Sequence, residues 1–272
     1  MTQRSADLAL AAEIAADAGD IAMAHFGKSP DRWDKADGSP VSSADLAVNR
    51  FLKGVIAAAR PGDGWLSEEC ADSPARLGKR RVWVVDPIDG TRDFLRGRTG
   101  WAVSVALVED GVVTVAVLNA PAQKRLYAAS LGGGAILNGR ALRVSGLPTL
   151  QGVRLPIDAA NLAASYWPSP WPGSIVAKPN SLALRMAMIA ADEADAWLEG
   201  RSIAEWDVAA SSLILSEAGG LATDRHGEAL AFNRPSPIIH GIAAATPALH
   251  GEVLTRLDHA LKVFAARRKS AA

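Results

Sequence analysis

The stretch that decides the fold leads from an apolar strand into a cluster of acidic and polar residues, and it reads Trp83-Val84-Val85-Asp86-Pro87-Ile88-Asp89-Gly90-Thr91-Arg92-Asp93-Phe94. Residues 81–85 are mostly β-branched or aromatic, which is typical of a buried strand. Pro87 is expected to end both the strand pairing and any helix that would reach back through it. The sequence therefore predicts a turn at the end of a strand, and this turn carries Asp86 and Asp89.

The chemistry of this turn is suited to a metal ion and a phosphate. Asp86 and Asp89 flank a rigid Pro-Ile dipeptide, so both carboxylates can face one point, where the Ile88 carbonyl can add a third oxygen. Hard cations such as Mg²⁺ prefer oxygen ligands. Gly90 and Thr91 follow where a helix can begin, and the free N–H groups of a helix start attract phosphate oxygens. An ordinary turn with an N-capping aspartate is the alternative interpretation.

Length and charge narrow the class of protein. The chain has 272 residues, of which 49% are hydrophobic and 21% are charged, so a substantial core and two sub-domains are expected. The 29 basic and 29 acidic side chains balance. A neutral protein lacks the basic surface that binds nucleic acid or membranes, so we expect neither as a partner and favour small-molecule chemistry.

Cysteine content and the N-terminus point to the cytoplasm. Cys70 is the single cysteine and cannot form an internal disulfide. Acidic residues interrupt the N-terminal segment, which does not have the basic and then apolar pattern of a signal peptide. No uncharged apolar run reaches the roughly 20 residues that a membrane-spanning helix needs. The expected location is therefore cytoplasmic.

Two helices are predicted near the N-terminus. Residues 5–26 place apolar side chains at helical spacing with acids between them, and a glycine follows. A second helix, capped by Ser42 or Ser43, runs on through residue 56. Asp45 lies in the first turn of this helix, where an acidic residue ordinarily complements the helix dipole.

A second strand end carries acidic residues as well. Residues 61–64 predict a turn and 65–67 a short strand, which Glu68 and Glu69 follow directly. Adjacent carboxylates on a surface loop are the simpler interpretation, and a contribution to a metal site is the alternative.

The middle of the chain predicts an antiparallel sheet. Apolar segments 101–109 and 112–119 flank an Asp-Gly pair that is typical of a two-residue hairpin. Segments 126–129 and 135–145 continue the pattern. The three glycines at 132–134 lie between strands with no helix after them, so they are interpreted as a hairpin connection and not as a nucleotide-binding loop.

A change in composition near residue 147 divides the chain into predicted domains 1–146 and 147–272. Residues 156–180 are rich in proline and tryptophan and are expected to be irregular. Beyond them we expect a helix over 181–191, a strand over 194–198 and a turn at Glu199.

The last part of the chain contains a second candidate site. A helix that begins near Glu205 and ends at a Gly-Gly pair after Ala218 places Asp207 at its N-terminus, where aspartate is also a common N-cap. A strand over 238–245 and a helix over 247–266 complete the expected order.

Four separated segments together resemble the inositol monophosphatase family. Residues 83–94 are similar to the family's first signature, and 205–220 resemble its second. Ser67-Glu68-Glu69 is similar to the family's Gly-Glu-Glu element. Lys35 followed by 38–45 resembles the family's lysine and Thr/Ser-x-Asp segment, in wording closest to the bisphosphate-nucleotidase branch.

The resemblance implies an α+β fold, the layered α-β-α-β-α sandwich of the lithium-sensitive phosphatases. It assigns one metal to Glu68, Asp86 and the Ile88 carbonyl. A second metal belongs to Asp86, Asp89 and Asp207. Two Mg²⁺ ions are therefore expected, or three where Glu68 and waters hold another weakly. Homodimers are common in the family, so a homodimer is expected as well.

The resemblance also implies the catalytic and substrate contacts. Asp45, Thr91 and Glu68 are implied to prepare the attacking water. Phosphate and leaving-group contacts are implied for Gly90, Thr91, Arg185, Glu199 and Asp207.

Three substrates compete. A 3′(2′),5′-bisphosphate nucleotide is favoured because Arg185 can meet its second phosphate. Inositol 1-phosphate is favoured because Glu199 lies near the place of the family's inositol-binding glutamate. Histidinol phosphate is favoured by the sequence of residues 92–98. A catalytically silent binding protein of the same fold is the alternative from another class, and the presence of every expected ligand disfavours it.

Overall fold

The computed structural model describes residues 2–36 and 38–270. Its helices are α1 (Gln3–His25), α2 (Ser43–Ala59), α3 (Thr91–Leu95), α4 (Ala159–Leu162), α5 (Leu182–Ala190), α6 (Ala209–Glu217) and α7 (Pro247–Ser270). Short 3₁₀ helices cover Pro74–Gly78, Pro121–Gln123 and Glu205–Asp207. None of the helices within the described residues combines the length and the apolar character needed to cross a membrane.

The strands include the predicted apolar segments and also short strands that were not predicted. They are β1 (Arg32–Asp34), β2 (Pro40–Ser42), β3 (Gly64–Ser67), β4 (Arg81–Asp89), β5 (Ala102–Glu109), β6 (Val112–Ala120), β7 (Arg125–Ser130), β8 (Gly134–Leu137), β9 (Arg140–Ala141), β10 (Val153–Leu155), β11 (Gly173–Ile175), β12 (Ala196–Ala204), β13 (Leu221–Asp224) and β14 (Ile238–Ala245). The strands that were not predicted are β1, β2, β10, β11 and β13.

Two sheets dominate the structure. The larger sheet has the order β3-β4-β5-β6-β7-β8-β9, in which β3 and β4 run parallel and every other neighbour is antiparallel. The smaller sheet has the order β12-β14-β13 and is antiparallel. Both sheets therefore have the mainly antiparallel pairing that the hairpin signals predict.

The central strand β4 is buried on both faces because its side chains alternate between two cores. Trp83 and Val85 pack with α1 and α2, whereas Val82 and Val84 face the core that contains α5 and α6. The smaller sheet packs on the other side of α5 and α6, and α7 covers its outer face. These five layers confirm the predicted α+β fold and its α-β-α-β-α order.

The core between the two sheets joins both halves of the chain. It contains residues of β4 to β8 together with residues of α5, α6 and β14. The Glu217 carboxylate accepts N–H groups of Gly132 and Gly134 at 2.8 and 2.7 Å, which ties the predicted hairpin connection to α6. The division into 1–146 and 147–272 stays a prediction about chain organisation.

Two local predictions were wrong. Pro87 does not end its strand: β4 continues to Asp89, which pairs with Ala102 after an irregularity in the register. A proline is tolerated there because the irregular pairing does not require its missing N–H. Similarly, Glu199 is not in a turn, because β12 runs through it with a register shift between Glu199 and Ser202 against β14.

Candidate active site

Three carboxylates converge where β4 ends. Asp86 and Asp89 are only 1% and 4% exposed, and Asp207 reaches them from the 3₁₀ turn ahead of α6. Each offers an oxygen, and these oxygens lie within 4.8 Å of one another. The irregularity in β4 places Asp86 and Asp89 on the same side of the strand end, whereas regular alternation would place residues three apart on opposite faces.

The carboxylates open into a cavity of about 450 Å³. Eight of the ten predicted site residues line this cavity: Glu68, Asp86, Ile88, Asp89, Gly90, Thr91, Arg185 and Asp207. Asp45 lies directly behind Thr91, to which it is hydrogen-bonded. Glu199 lines a neighbouring cavity instead.

Hydrogen bonds fix the orientation of each carboxylate. An Asp86 oxygen accepts the Ile88 N–H at 3.0 Å, and Asp207 accepts the Ala204 N–H at 2.8 Å. Asp89 is held by the start of α5, where it accepts the Ser181 hydroxyl at 2.6 Å and the Ala183 N–H at 2.8 Å. The Leu182 N–H, at 3.2 Å, adds a third bond.

The two carboxylate oxygens of Asp45 contact different groups. Its Oδ2 accepts the backbone N–H and the hydroxyl of Ser42 at 2.8 and 2.6 Å, which completes the capping of α2. Its Oδ1 lies 3.3 Å from the Thr91 hydroxyl, which also donates to the Ile88 carbonyl at 3.0 Å. Asp45 therefore helps to cap α2 from its predicted place in the first turn, and its second oxygen faces Thr91, which lines the cavity.

Glu68 is engaged by a cation of the chain itself. The Lys35 ammonium lies 2.7 Å from Glu68 and 2.6 Å from Glu69. Burial lowers the pKa of Lys35, but the two carboxylates outweigh burial and raise it overall. Burial raises the pKa of Glu69 to about 7, against the opposing effect of Lys35. Lys35 thus stays charged and holds both glutamates at the rim of the site.

The electrostatics of the site favour an added cation. Burial, followed by repulsion from Glu68 and the neighbouring aspartates, raises the pKa of Asp86 well above its ordinary value. Burial and the charge of Asp89 do the same to Asp207. Burial also raises the pKa of Asp89 to about 6 and that of Asp45 to about 6, despite their hydrogen bonds. A divalent cation removes this repulsion, so the donor set fits an oxygen-preferring metal.

Metal binding should release protons. A carboxyl whose pKa is raised by folding binds more protons folded than unfolded, so the contribution of Asp89 to the stability of the metal-free protein falls as pH rises from 3.8 to about 6. A bound cation favours the ionised forms. We expect Mg²⁺ to displace roughly one proton or more per molecule at pH 6, and fewer at pH 8. Calorimetric titrations in two buffers of different ionisation enthalpy measure this number. Equal heats in both buffers at pH 6 would contradict it.

A glycine is required at position 90, where the end of β4 packs against the residue that precedes α5. The Gly90 φ of +94° lies in the left-handed region that glycine adopts readily. A Cβ at this position would lie 2.7 Å from the Gly100 oxygen and 2.8 Å from the Ser181 nitrogen. The missing side chain therefore allows the strand end to approach the turn that holds Asp89.

Arginines also border the cavity. Arg185 is 8% exposed, and its guanidinium donates to the Pro179 carbonyl at 2.8 Å and the Asn180 carbonyl at 3.4 Å. Burial lowers the pKa of Arg185, opposed by the charges of Asp89 and Glu199. Arg201 lines the cavity with a side chain that is 75% exposed, and it lies 2.9 Å from Glu199.

Sequence reasoning missed two contributors to this site, Ser181 and Arg201, and one contact, that of Lys35 with Glu68. Ser181 was expected only as the start of a helix, although the Pro-Asn-Ser turn ahead of α5 offered a signal for it. The contact of Lys35 with Glu68 joins residues 33 apart and has no local signature. Arg201 was overlooked because the glycine at position 200 suggested a turn where the strand continues.

Comparisons with known proteins give a consistent family. A model of the inositol monophosphatase family matches residues 4–261. A Streptomyces griseus protein named glucose-1-phosphate thymidylyltransferase is 37% identical, covering 84% of this chain and 89% of its own. The histidinol-phosphatase of Mycobacterium tuberculosis is 34% identical, covering 93% and 98%.

A solved structure agrees with these sequence relatives. The inositol monophosphatase of Thermotoga maritima superimposes with a TM-score of 0.82 at 26% identity, covering 94% of this chain and 98% of that one. The chain therefore belongs to the inositol monophosphatase family.

Proposed function

We propose that the protein is a Mg²⁺-dependent phosphomonoesterase that hydrolyses a small phosphorylated substrate. The observation that carries the proposal is the buried group of Asp86, Asp89 and Asp207, whose repulsion an oxygen-preferring cation relieves. The family membership supports the reaction class. A silent binding protein would have no need to retain a complete ligand set beside a proton acceptor.

The ligands divide into two overlapping groups. Glu68, Asp86 and the Ile88 carbonyl would hold one Mg²⁺, and Asp86, Asp89 and Asp207 would hold the second. When bound, Mg²⁺ offsets phosphate charge and lowers the pKa of coordinated water. Lys35 limits the freedom of Glu68 by holding it at 2.7 Å, so the first group is already oriented before a metal arrives.

Thr91 and Asp45 form the path for the proton of the attacking water. The Thr91 hydroxyl oxygen lies 3.3 Å from Oδ1 of Asp45 and 3.0 Å from the Ile88 carbonyl oxygen, so its single proton can be donated to either acceptor. Burial raises the pKa of Asp45 to about 6, so this carboxylate is ionised at neutral pH but accepts a proton more readily than an exposed aspartate. Water bound beside Thr91 can pass its proton to Thr91 Oγ1 while Thr91 passes its own to Asp45.

The turn after β4 would receive the phosphate. Gly90 and Thr91 line the cavity at the start of α3, where backbone N–H groups lack helical partners. Such groups donate to phosphate oxygens without adding a side-chain charge.

For the leaving group we infer a 3′(2′),5′-bisphosphate nucleotide. Arg92, Arg185 and Arg201 line the cavity around the phosphate position, and a substrate with a second phosphate offers them a matching charge. Arg201 already has Glu199 as an anionic partner at 2.9 Å, so a substrate with only one phosphate would leave the charges of Arg92 and Arg185 without a second phosphate to meet. Histidinol phosphate is the second candidate, because a relative that spans almost the whole chain carries that name. The names of the relatives differ, so they do not choose between leaving groups.

A phosphate-release panel with saturating Mg²⁺ tests the proposal. Its members are 3′-phosphoadenosine 5′-phosphate, inositol 1-phosphate, histidinol phosphate and fructose 1,6-bisphosphate. We expect the highest kcat/KM for the bisphosphate nucleotide. A preference for inositol 1-phosphate would overturn the nucleotide assignment and favour the contact with Glu199, and failure of all four would contradict a phosphomonoesterase of this substrate class.

Arg185→Ala should change substrate preference. Loss of one charge-assisted contact costs about 1.5 to 3 kcal/mol, so KM for 3′-phosphoadenosine 5′-phosphate should rise about tenfold or more. The ratio of kcat/KM between this substrate and inositol 1-phosphate should fall by the same factor. Arg98→Ala, which removes an arginine 66% exposed and outside this cavity, is the matched control. An equal loss on both substrates would instead indicate that Arg185 acts only by holding the Pro179 and Asn180 carbonyls.

A further inference from the structure

A second cavity of about 190 Å³ adjoins the one above the carboxylates, and we refer to it as the aromatic cavity. Arg185 lines both cavities and so forms part of the wall between them. The ion pair of Glu199 and Arg201 also spans this boundary, because Glu199 lines the aromatic cavity and Arg201 the other. The aromatic cavity therefore lies next to the leaving-group side of the site, with these side chains between the two.

One wall of the aromatic cavity is a row of aromatic rings. They come from the segment between α4 and β11 and from α7, which are distant in sequence. Tyr166 lies 4.7 Å from Trp167 and 4.8 Å from Phe264 of α7, measured between ring centroids. The Trp167 indole donates to the Asn161 carbonyl at 2.6 Å and packs edge-on against Trp171. These contacts fix the rings of the wall before a ligand binds.

The rings of Tyr166, Trp167 and Phe264 keep part of their surface outside the core of the protein. Phe264 is 41% exposed, and Tyr166 and Trp167 are only partly buried. Exposed large apolar groups that are rimmed by polar ones are typical of binding surfaces. The polar rim here contains Lys178, whose ammonium is paired with Asp158, and Glu199, whose carboxylate is 14% exposed.

The walls favour a flat ring with polar edges. Aromatic side chains stack on any nucleobase or similar ring through the π-face. Glu199 provides acceptors for N–H or O–H groups on the ring or on a sugar attached to it. A polyol such as inositol has no π-face and would leave the aromatic wall without a matching surface.

We propose that the aromatic cavity binds a heteroaromatic ring of the leaving group while the ester phosphate lies at the carboxylates. This inference rests on the proposed function and extends it, because it limits the substrates to phosphate esters of alcohols that carry such a ring. A nucleoside and an imidazole alcohol share this chemistry. Arg185 and the Glu199–Arg201 pair lie between ring and phosphate.

The first experiment measures binding without turnover. Adenosine and histidinol, which carry no phosphate, are titrated into the protein while tryptophan fluorescence and calorimetric heats are followed. We expect saturable binding of at least one of the two probes, adenosine or histidinol. Tyr166→Ala and Phe264→Ser should weaken this binding about tenfold, whereas Tyr166→Phe keeps the ring and should retain the affinity. Leu221→Ala is the matched control, since it truncates a side chain that is 45% exposed and lines neither cavity. Thermal unfolding confirms that each variant is folded.

The second experiment compares hydrolysis of 3′-phosphoadenosine 5′-phosphate and of histidinol phosphate with that of glycerol 2-phosphate, which has no ring. Tyr166→Ala should lower the ratio of kcat/KM for the preferred ring substrate over glycerol 2-phosphate about tenfold, mainly through KM. Unchanged ratios and unchanged probe binding would overturn the aromatic cavity while hydrolysis continues. Ring-dependent probe binding in a protein that hydrolyses no phosphate ester would support the cavity and refute the proposed function.

Discussion

Asp86→Asn should lower kcat about a thousandfold or more and at the same time raise the thermal stability of the metal-free protein. Asp86 is the one side chain assigned to both metals, so its replacement removes several kcal/mol of transition-state stabilisation, and each 1.36 kcal/mol is a factor of ten in rate. The stability changes in the opposite direction because the neutral amide relieves repulsion from Glu68, Asp89 and Asp207.

The pH dependence distinguishes this explanation from a general effect of the substitution. The Asp86 carboxyl is protonated when the pH falls below its raised pKa, and its repulsion then disappears in the parent as well. The stabilisation by Asp86→Asn in the presence of a chelator should therefore be larger at pH 8 than at pH 5. Asp110→Asn, at a carboxylate that is 70% exposed on a hairpin, serves as the control. Parent-like turnover of Asp86→Asn would refute the proposed metal site.

Removal of divalent metal should abolish turnover, and Mg²⁺ added in excess of the chelator should restore it. The ligands offered by the site are carboxylate and carbonyl oxygens, which select Mg²⁺, Ca²⁺ and Mn²⁺ over metals that prefer nitrogen or sulfur. We expect a loss of at least about a hundredfold, because metal catalysis contributes several kcal/mol.

Calcium provides the matched comparison for magnesium. Ca²⁺ takes more ligands at longer distances and in a more flexible geometry, so it should occupy the carboxylates but misplace water and phosphate. Excess Ca²⁺ should therefore inhibit the Mg²⁺-loaded protein, and the family resemblance leads us to expect inhibition by Li⁺ as well. Phosphate release after exhaustive dialysis against chelator measures the first effect. Full turnover in the dialysed protein would contradict metal dependence.

The sequence was most informative where function and local structure coincide. Asp86 and Asp89 lie three residues apart, so their proximity could be inferred from one turn. Asp45 and Asp207 stand close to helix starts, where capping patterns are recognisable, although neither pattern alone indicates that the two side chains reach one site. The family resemblance supplied that connection.

Long-range contacts were beyond the reach of local patterns. Ser181 meets Asp89 across 92 residues of sequence, and this contact depends on how α5 packs against the end of β4. The register shifts in β4 and β12 were also missed, because proline and glycine are read locally as ends of strands. In both strands the partner strand determines that pairing resumes after the irregular residues.

Asp89 connects the proposed metal site to the start of α5. Binding of a metal and ordering of the leaving-group side therefore depend on each other. The oxygens that would contact a cation also accept three hydrogen bonds from the first residues of α5, the helix that carries Arg185. A cation that fixes Asp89 thereby restricts this helix start, and a leaving group that restricts the helix start fixes Asp89 in turn. Any factor by which one ligand changes the affinity for the other must then be matched in the reverse direction, which is a coupling free energy that the two halves of the substrate-binding region share.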